Sequence, residues 1–221
     1  MKYKRLVYIA TVACLLMHFS HQALAAALPD ISGHWGESYI EALLEKGAIS
    51  GMSDGKFYPD EEVTFAQFVR IIISLNFGDL PPLADGNWAS GYMRKAVEIG
   101  LIYPDEIEAD WKLTRFNAAR IINSALNQIY FEPPIEFTDE QEIEYVKLFK
   151  DIKTSCLSCG YEPPKGLAQT YLKGIISGRP GPVFDGYRYL TRAEACVLIM
   201  RMIEPKLRTP PNGLSEIYSR Q

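Results

Sequence analysis

The stretch Gly47-Ala-Ile-Ser-Gly51 … Phe57 … Val63-Thr64-Phe-Ala-Gln67 returns later in the chain as Gly174-Ile-Ile-Ser-Gly178 … Phe184 … Leu190-Thr191-Arg-Ala-Glu194. In both copies the first glycine and the threonine are 17 residues apart. A shorter copy runs from Gly100 to Thr114. In each copy an amphipathic stretch ends at the glycine and a longer apolar stretch begins at the threonine, which predicts two helices per repeat. A repeat of this size cannot bury its apolar face alone, so three copies predict one cooperative domain.

The repeats divide the chain into consecutive units, which we place at residues 28–76, 83–130 and 137–204, with an exposed C-terminal tail at 205–221. The third unit is the longest. Asp139 takes the place of Asp30 in its pattern, but precedes the glycine by 35 residues instead of 17. We therefore predict an insertion at about residues 140–165, which begins with a helix.

Residues 1–25 have the features of a secretory signal peptide. Three basic side chains lie within residues 2–5, residues 6–19 are apolar, and Ala23-Leu-Ala25 is a small-residue cleavage site. The apolar run is short for a membrane span. We expect an exported protein without a transmembrane span in its mature form. Lipidation of Cys14 is the weaker alternative, because the residues before it fit a lipoprotein signal poorly.

The mature chain is acidic and of the size of one domain. Removal of residues 1–25 leaves about 195 residues, of which 20 are basic and 27 acidic, a net charge near −7. Nucleic acids and anionic membranes are bound by clustered Lys and Arg, and the sequence has no such cluster. The composition therefore argues against a nucleic-acid partner. The repeats use nearly all of this length, so we expect no separate catalytic domain.

The cysteines allow several readings. Cys156-Leu-Ser-Cys159 lies in the insertion and can form a disulfide, bind a metal or perform redox chemistry. A thioredoxin-like site needs a β-α-β context, and a zinc site needs two further ligands; the sequence suggests neither. A local disulfide or free thiols therefore rank above a metal site, and redox catalysis ranks last. Cys196 lies in an apolar stretch and is expected to be a buried small residue.

The series Asp30 … His34-Trp35 … Gly47 to Gly51 … Asp54-Gly55 … Val63-Thr64 resembles a surface-layer homology repeat, and Leu190-Thr-Arg-Ala-Glu194 matches the best-known motif of that family. The resemblance implies a mostly α-helical fold, in which three helix-loop-helix repeats form one pseudo-threefold trefoil around a central three-helix bundle. It also implies a noncovalent anchor of the bacterial cell wall that is secreted, needs no cofactor and is not an enzyme. The ligand of such anchors is secondary cell-wall polysaccharide, often with ketal-linked pyruvate, bound in grooves between repeats.

Within this resemblance, Arg192 is the leading candidate for binding carbohydrate. Thr191 and Glu194 are family candidates as well, but they also form a capping box worth about 1 kcal/mol, which explains them without a ligand. Capping does not need Arg192, and the helix macrodipole disfavours a cation there. A carboxylate at the helix start would explain this arginine, because backbone N–H groups and a guanidinium both bind anions.

The other two repeats differ at the position of Arg192. Arg115 occupies it in the second repeat, but Asn117 damages the capping box there, so Arg115 ranks below Arg192 as a candidate. Phe65 occupies it in the first repeat. We expect the groove that receives Phe65 to bind weakly or not at all.

Four more residues complete the candidate carbohydrate site: Trp111, Gly51, Gly178 and Asp54. Trp111 breaks the repeat pattern and can stack on a sugar ring, whereas the helical spacing of Trp35 and Trp88 favours core packing. The two glycines either allow a ligand to approach or serve turn geometry. Asp54 is most simply a turn residue.

Two functional alternatives remain at this point. The first is a scaffold that has lost glycan binding and instead binds a surface protein, for instance through residues 140–165; the altered motifs at Thr64 and Thr114 favour it. The second is a thiol redox enzyme that uses Cys156 and Cys159, for which the sequence offers little support.

Overall fold

A computed structural model describes residues 28–108, 111–152 and 166–211 of the chain. The expected signal peptide, Cys14, Cys156 and Cys159 lie outside these residues. The described part is mostly helical, and its only β pairings are isolated bridges. Its α-helices are α1 (Glu37–Glu45), α2 (Phe65–Phe77), α3 (Ser90–Glu98), α4 (Arg115–Gln128), α5 (Asp139–Val146), α6 (Leu167–Leu172) and α7 (Arg192–Ile203). Short 3-10 helices lie between α3 and α4 at Pro104–Glu106 and after α7 at Pro205–Leu207. The predicted mostly α-helical fold is confirmed.

The helix boundaries follow the signals in the repeats. Thr64, Thr114 and Thr191 cap α2, α4 and α7, and each side chain accepts a hydrogen bond from the N–H three residues on. The capping box is complete at α2 and α7. The expected damage at α4 is confirmed, since in the described structure only the threonine half of the box forms there.

The starts of the three long helices are joined by a closed ring of backbone hydrogen bonds. The N–H of Val63 donates to the carbonyl of Leu190 at 3.0 Å, that of Leu190 to Leu113 at 2.9 Å, and that of Leu113 to Val63 at 2.9 Å. All three side chains are buried. Each repeat contributes one residue, so the first and third repeats are neighbours although they are far apart in sequence. The trefoil symmetry and the central bundle stay predictions.

A loop carboxylate that accepts backbone hydrogen bonds corrects one alignment made from the sequence. Asp30 accepts hydrogen bonds from the N–H groups of Phe57 and Tyr58 at 2.9 and 2.6 Å. In the third repeat Asp151 accepts the equivalent bonds from Phe184 and Asp185 at 2.8 and 2.7 Å. The prediction of Asp139 for this position is wrong, because Asp139 is the first residue of α5. The predicted helix of the insertion therefore precedes the residue that aligns with Asp30.

The first part of the C-terminal tail is held to the domain by hydrogen bonds, although Pro205, Lys206, Thr209 and Pro210 are exposed as expected. Arg208 donates to both carboxylate oxygens of Glu132, at 2.8 and 2.7 Å, and Lys173 donates to the same carboxylate at 2.7 Å. The N–H of Thr209 donates to the carbonyl of Gly174 at 2.9 Å. Residues 212–221 lie outside the described structure.

Two further expectations concern the core and the membrane. Cys196 is buried in α7, and burial raises the pKa of its thiol to about 12, so the predicted apolar role is confirmed. No helix within the described ranges is both long and apolar enough to span a bilayer.

Candidate functional site

A groove with a volume of about 200 Å³ lies where the three repeats meet. We call it groove A, and its lining consists of Ile49, Ser50, Gly51, Met52, Gln67, Arg70, Ile71, Trp88 and Arg192. The loop at residues 49–52 and the first turns of α2 come from the first repeat. Trp88 comes from the second repeat and Arg192 from the third, so the groove exists only when all three repeats are folded together.

Arg192 is fixed at the wall of groove A by one end of its guanidinium. Its Nε donates to the carbonyl of Phe57 at 2.8 Å, and the guanidinium carbon lies 4.4 Å from the centre of the Phe57 ring. Partial burial lowers the pKa of Arg192 from its usual value. Among the described residues this carbonyl is the only hydrogen-bond partner of the guanidinium, which leaves the two terminal nitrogens for a ligand.

A second groove of about 200 Å³ has the equivalent architecture in the third repeat. We call it groove B, and it is lined by Trp35, Arg115, Ile176, Ser177, Leu190, Glu194, Val197, Leu198 and Arg201. Ile176 and Ser177 correspond to Ile49 and Ser50 of groove A in the aligned repeats. Trp35 takes the place of Trp88, and Arg115 takes that of Arg192.

Arg115 is held more tightly than Arg192. Only 6% of its surface is exposed. Its Nε donates to the carbonyl of Phe184 at 2.9 Å, and a terminal nitrogen donates to the carbonyl of Ser177 at 2.7 Å. Burial, followed by the charge of Arg188, lowers the pKa of Arg115 to about 10, so the side chain is still charged at neutral pH. Because protein carbonyls take two of its donor nitrogens, Arg115 has less capacity for a ligand.

The two grooves also differ in charge. Groove A is lined by the cations Arg70 and Arg192 and by no carboxylate among the described residues. Groove B contains Glu194 beside its two arginines. Glu194 accepts hydrogen bonds from Arg188 at 2.6 Å and from the N–H of Thr191 at 2.9 Å. Groove A is therefore the better place for an anion.

The structure divides the residues of the Thr191–Glu194 motif between two grooves. Arg192 lies with Gly51 in groove A, whereas Glu194 lies with Arg115 in groove B. Thr191 serves as the helix cap. Sequence order places these residues together, but the start of α7 crosses to the loop of the first repeat, where Ala193 N–H donates to the carbonyl of Pro59 at 2.9 Å.

The candidate glycines and Asp54 have structural explanations. A Cβ atom on Gly51 would lie 2.6 Å from Cδ2 of Leu28, and one on Gly178 would lie 2.7 Å from Cε1 of Phe149. A larger residue at either position would push against an apolar side chain, so packing accounts for both glycines without a ligand. Asp54 accepts hydrogen bonds from the Lys56 N–H at 3.2 Å and from the Tyr58 hydroxyl, which is a turn arrangement outside the linings of grooves A and B.

The tryptophans are placed differently from the sequence prediction. Core packing was expected for Trp35 and Trp88, and this is wrong, because they are 59% and 49% exposed at grooves B and A. The physical reason is that α1 begins at Glu37 and α3 at Ser90, so a helical spacing does not apply to the residues before them. Trp111 is 46% exposed and packs on Phe65 at 5.5 Å, outside the linings of both grooves.

Arg70 is a groove residue that the sequence prediction missed. It lies one helical turn beyond the capping box, where an arginine is a common solvent-facing residue. An alignment of the three repeats over the groove-lining loop and the helix that follows it would have found Arg70. In the portion of the chain described, no group of His, Cys, Asp and Glu side chains is arranged to hold a metal ion.

Residues 27–69 match the family model of the S-layer homology domain. An exoglucanase of Acetivibrio thermocellus is 27% identical over 186 residues, which are 79% of this chain and 16% of the exoglucanase. An S-layer protein of Bacillus thuringiensis subsp. finitimus is 25% identical over 211 residues, 90% of this chain and 24% of that protein. A cellulosome-anchoring protein of Acetivibrio thermocellus is 44% identical over 45 residues, 20% of this chain and 10% of that protein. The chain spans less than a quarter of the length of each of these relatives.

Proposed function

We propose that this chain, whose residues 27–69 match the S-layer homology domain, belongs to the bacterial cell-wall surface and anchors noncovalently to the wall by binding secondary cell-wall polysaccharide in its inter-repeat grooves. Groove A is the principal site. The part of the glycan that groove A binds carries a carboxylate, for which ketal-linked pyruvate is the expected source.

The observation that supports this proposal is the lining of groove A. Arg70 and Arg192 provide two guanidiniums without a carboxylate in the described lining, so a bound anion would neutralise them. A guanidinium can bind a carboxylate through two parallel hydrogen bonds. The exposed ring of Trp88 offers an apolar face for a pyranose. Together these groups suit an acidic sugar better than a neutral one.

The matched domain is a non-catalytic anchoring module, and we propose that the whole chain acts without catalysis. The exoglucanase among its relatives is far longer than this chain, which covers 16% of it. The shared segment also occurs in a protein named for cellulosome anchoring and in S-layer proteins. Anchoring is the role that proteins of such different names can share.

Co-sedimentation with purified wall sacculi tests the proposal. The mature protein should pellet with intact sacculi and stay in solution after acid has stripped the secondary polysaccharide. Arg192→Ala should weaken pelleting by about tenfold, as expected for the loss of a charge-assisted contact. Arg94→Ala is the matched control, because Arg94 is exposed on α3 outside both groove linings.

Equal pelleting with intact and stripped sacculi would contradict glycan binding. No pelleting with either would favour the alternative of a scaffold that binds a surface protein. Far-ultraviolet circular dichroism of each variant separates a loss of binding from a loss of fold.

A further inference from the structure

The second repeat contains the same groove elements with different chemistry. Its loop has Ile102 and Tyr103 where groove A has Ile49 and Ser50, counted from the glycine that ends the preceding helix. On the following helix, Arg120 takes the place of Arg70, counted from the threonine cap. We call the place defined by these aligned residues, Ile102, Tyr103 and Arg120, groove C. Phe65 aligns with Arg192, and its ring centre lies 5.5 Å from that of Trp111, so an aromatic pair replaces the arginine–phenylalanine pair of groove A.

A carboxylate of the protein itself lies in groove C. One oxygen of Glu106 accepts a hydrogen bond from the N–H of Tyr103 at 2.8 Å, and the other accepts one from a terminal nitrogen of Arg120. The Glu106 and Arg120 side chains are only 15% and 13% exposed. The Arg120 guanidinium also lies 4.7 Å from the centre of the Tyr103 ring. A loop N–H and a helix arginine thus form a two-sided site for one carboxylate.

Groove A has both of these donors but no carboxylate between them. The N–H that aligns with that of Tyr103 belongs to Ser50, and among the described residues it has no acceptor. The arginine that aligns with Arg120 is Arg70, whose carboxylate partner, Asp79, lies 3.8 Å away with 76% of its side chain exposed. Such a long and exposed ion pair contributes little. Both donors of groove A are therefore available to an anion from outside.

We propose that Glu106 stands in for the ligand's carboxylate in groove C. It closes this groove to an acidic glycan, because a second carboxylate would meet a like charge and an arginine that is already neutralised. The same comparison places the ligand's carboxylate in groove A between the N–H of Ser50 and the guanidinium of Arg70. This inference rests on the proposed function.

Groove B gives an internal comparison. Its loop N–H, that of Ser177, has no acceptor in the described structure, but the position of Arg70 is taken by Val197. Groove B therefore has no arginine at this helix position, and its other helix arginine, Arg201, donates to the carbonyl of Ile175 at 3.4 Å. Affinity for an acidic saccharide should decrease from groove A to groove B, and groove C should not bind it.

The test uses a methyl hexoside with a 4,6-linked pyruvate ketal as the probe and the same hexoside without the ketal as its neutral counterpart. Binding is followed by backbone amide shifts of the mature protein. Arg70→Gln should reduce the affinity of groove A for the ketal by about tenfold and leave the affinity for the neutral hexoside unchanged. Arg94→Gln, an equal loss of charge outside the grooves, should have no effect.

Glu106→Gln should open groove C. The ketal should then shift the amides of Tyr103 and Arg120, which it does not shift in the unaltered protein. Asp105→Asn, at the exposed neighbour of Glu106, is the matched control, and the ketal should shift neither amide in this variant. Thermal unfolding shows that each variant is folded at the temperature of the titration.

The outcomes separate the two proposals. If the unaltered protein binds the ketal and Arg70→Gln binds it equally well, the assigned position of the carboxylate is wrong. If Glu106→Gln gains no response at Tyr103 and Arg120, the stand-in role of Glu106 is wrong. If the unaltered protein binds neither the ketal nor intact sacculi, the proposed function fails, and this inference fails with it.

Discussion

Gly47 and Gly174 end α1 and α6 with the same backbone conformation but in different surroundings. Their φ angles are +68° and +70°. A Cβ atom on Gly47 would have no heavy atom within 4 Å, whereas one on Gly174 would lie 2.3 Å from the nitrogen of Pro210 and 2.4 Å from the carbonyl carbon of Thr209. The first glycine is needed for its conformation alone, and the second also for the close approach of the C-terminal segment.

We expect Gly174→Ala to destabilise the protein more than Gly47→Ala. The left-handed conformation costs an alanine about 1–2 kcal/mol at either position. At Gly174 the backbone of residues 209–210 must also move, which breaks the hydrogen bond from the N–H of Thr209. Urea unfolding of the two variants measures the difference. Equal losses of stability would show that residues 209–210 can move aside without lowering the free energy of unfolding.

Arg192 shows how far a single residue can be interpreted from the sequence. Its chemistry is readable, because capping uses Thr191 and Glu194 and leaves this arginine without a local purpose. Its location is not readable, because the contact with Phe57 spans 135 residues and depends on how the repeats close on one another. The same closure brings Trp88 to groove A. The sequence therefore predicts an anion-binding role for Arg192, which stays a prediction, and the structure shows which residues lie beside it in groove A.

The carboxylate of Glu132 joins three elements that are distant in sequence. It lies after α4, and it binds Lys173 at the end of α6 and Arg208 after the last 3-10 helix. Burial by itself raises the pKa of Glu132, but the hydrogen bonds from Arg208 and Lys173 outweigh it, and the net shift is downward. The charged form is therefore stabilised in the folded protein.

This cluster should make stability depend on pH. Because the folded pKa of Glu132 is lowered, its contribution is fully present above the unfolded value of about 4.3 and is lost as the pH falls through the lowered pKa. Glu132→Gln should cost about 2–3 kcal/mol at pH 7, less than a fully buried pair because 24% of the side chain is exposed.

Denaturant unfolding of both proteins from pH 7 to pH 2 measures this contribution. The difference between Glu132→Gln and the unaltered protein should shrink at acidic pH. Glu144→Gln, which removes an exposed pair with Lys147, should change stability by less than about 0.5 kcal/mol at any pH. A difference that stays constant over the whole range would rule out the ionic role of Glu132.

The helices were the easiest elements to predict, and the connections between them the hardest. Threonine caps and terminal glycines act within a few residues, so α1 to α4 and α7 follow from local sequence. The packing of residues 205–209 does not, because the Glu132–Arg208 pair spans 76 residues and surface charges give no pattern. Asp151 was missed for a different reason. The added helix α5 precedes it and shifts the spacing that would align it with Asp30.

The backbone ring of Val63, Leu113 and Leu190 makes the stability of each repeat depend on the other two. Leu190 is fully buried at this ring. Leu190→Ala should cost about 2–5 kcal/mol, as usual for a deleted core leucine. All three tryptophans lie between residues 35 and 111, outside the third repeat. Their fluorescence therefore reports on the first two repeats when the third is altered.

We expect tryptophan fluorescence and far-ultraviolet circular dichroism of Leu190→Ala to give the same reduced denaturation midpoint. Coincident transitions are the mark of two-state unfolding. A fluorescence midpoint that stayed at its original value would mean that the first two repeats fold without the third. Ile107→Ala, at an exposed side chain, is the control and should leave both midpoints nearly unchanged.

Groove A draws its wall from a loop and helix of the first repeat, a tryptophan of the second and an arginine of the third. A ligand held there would therefore act as a staple across the domain. Under mechanical load, one repeat could not separate from the other two without disrupting groove A. Ligand binding and the folded structure would then be lost in one step. A bound ligand should therefore raise the force needed to unfold the domain.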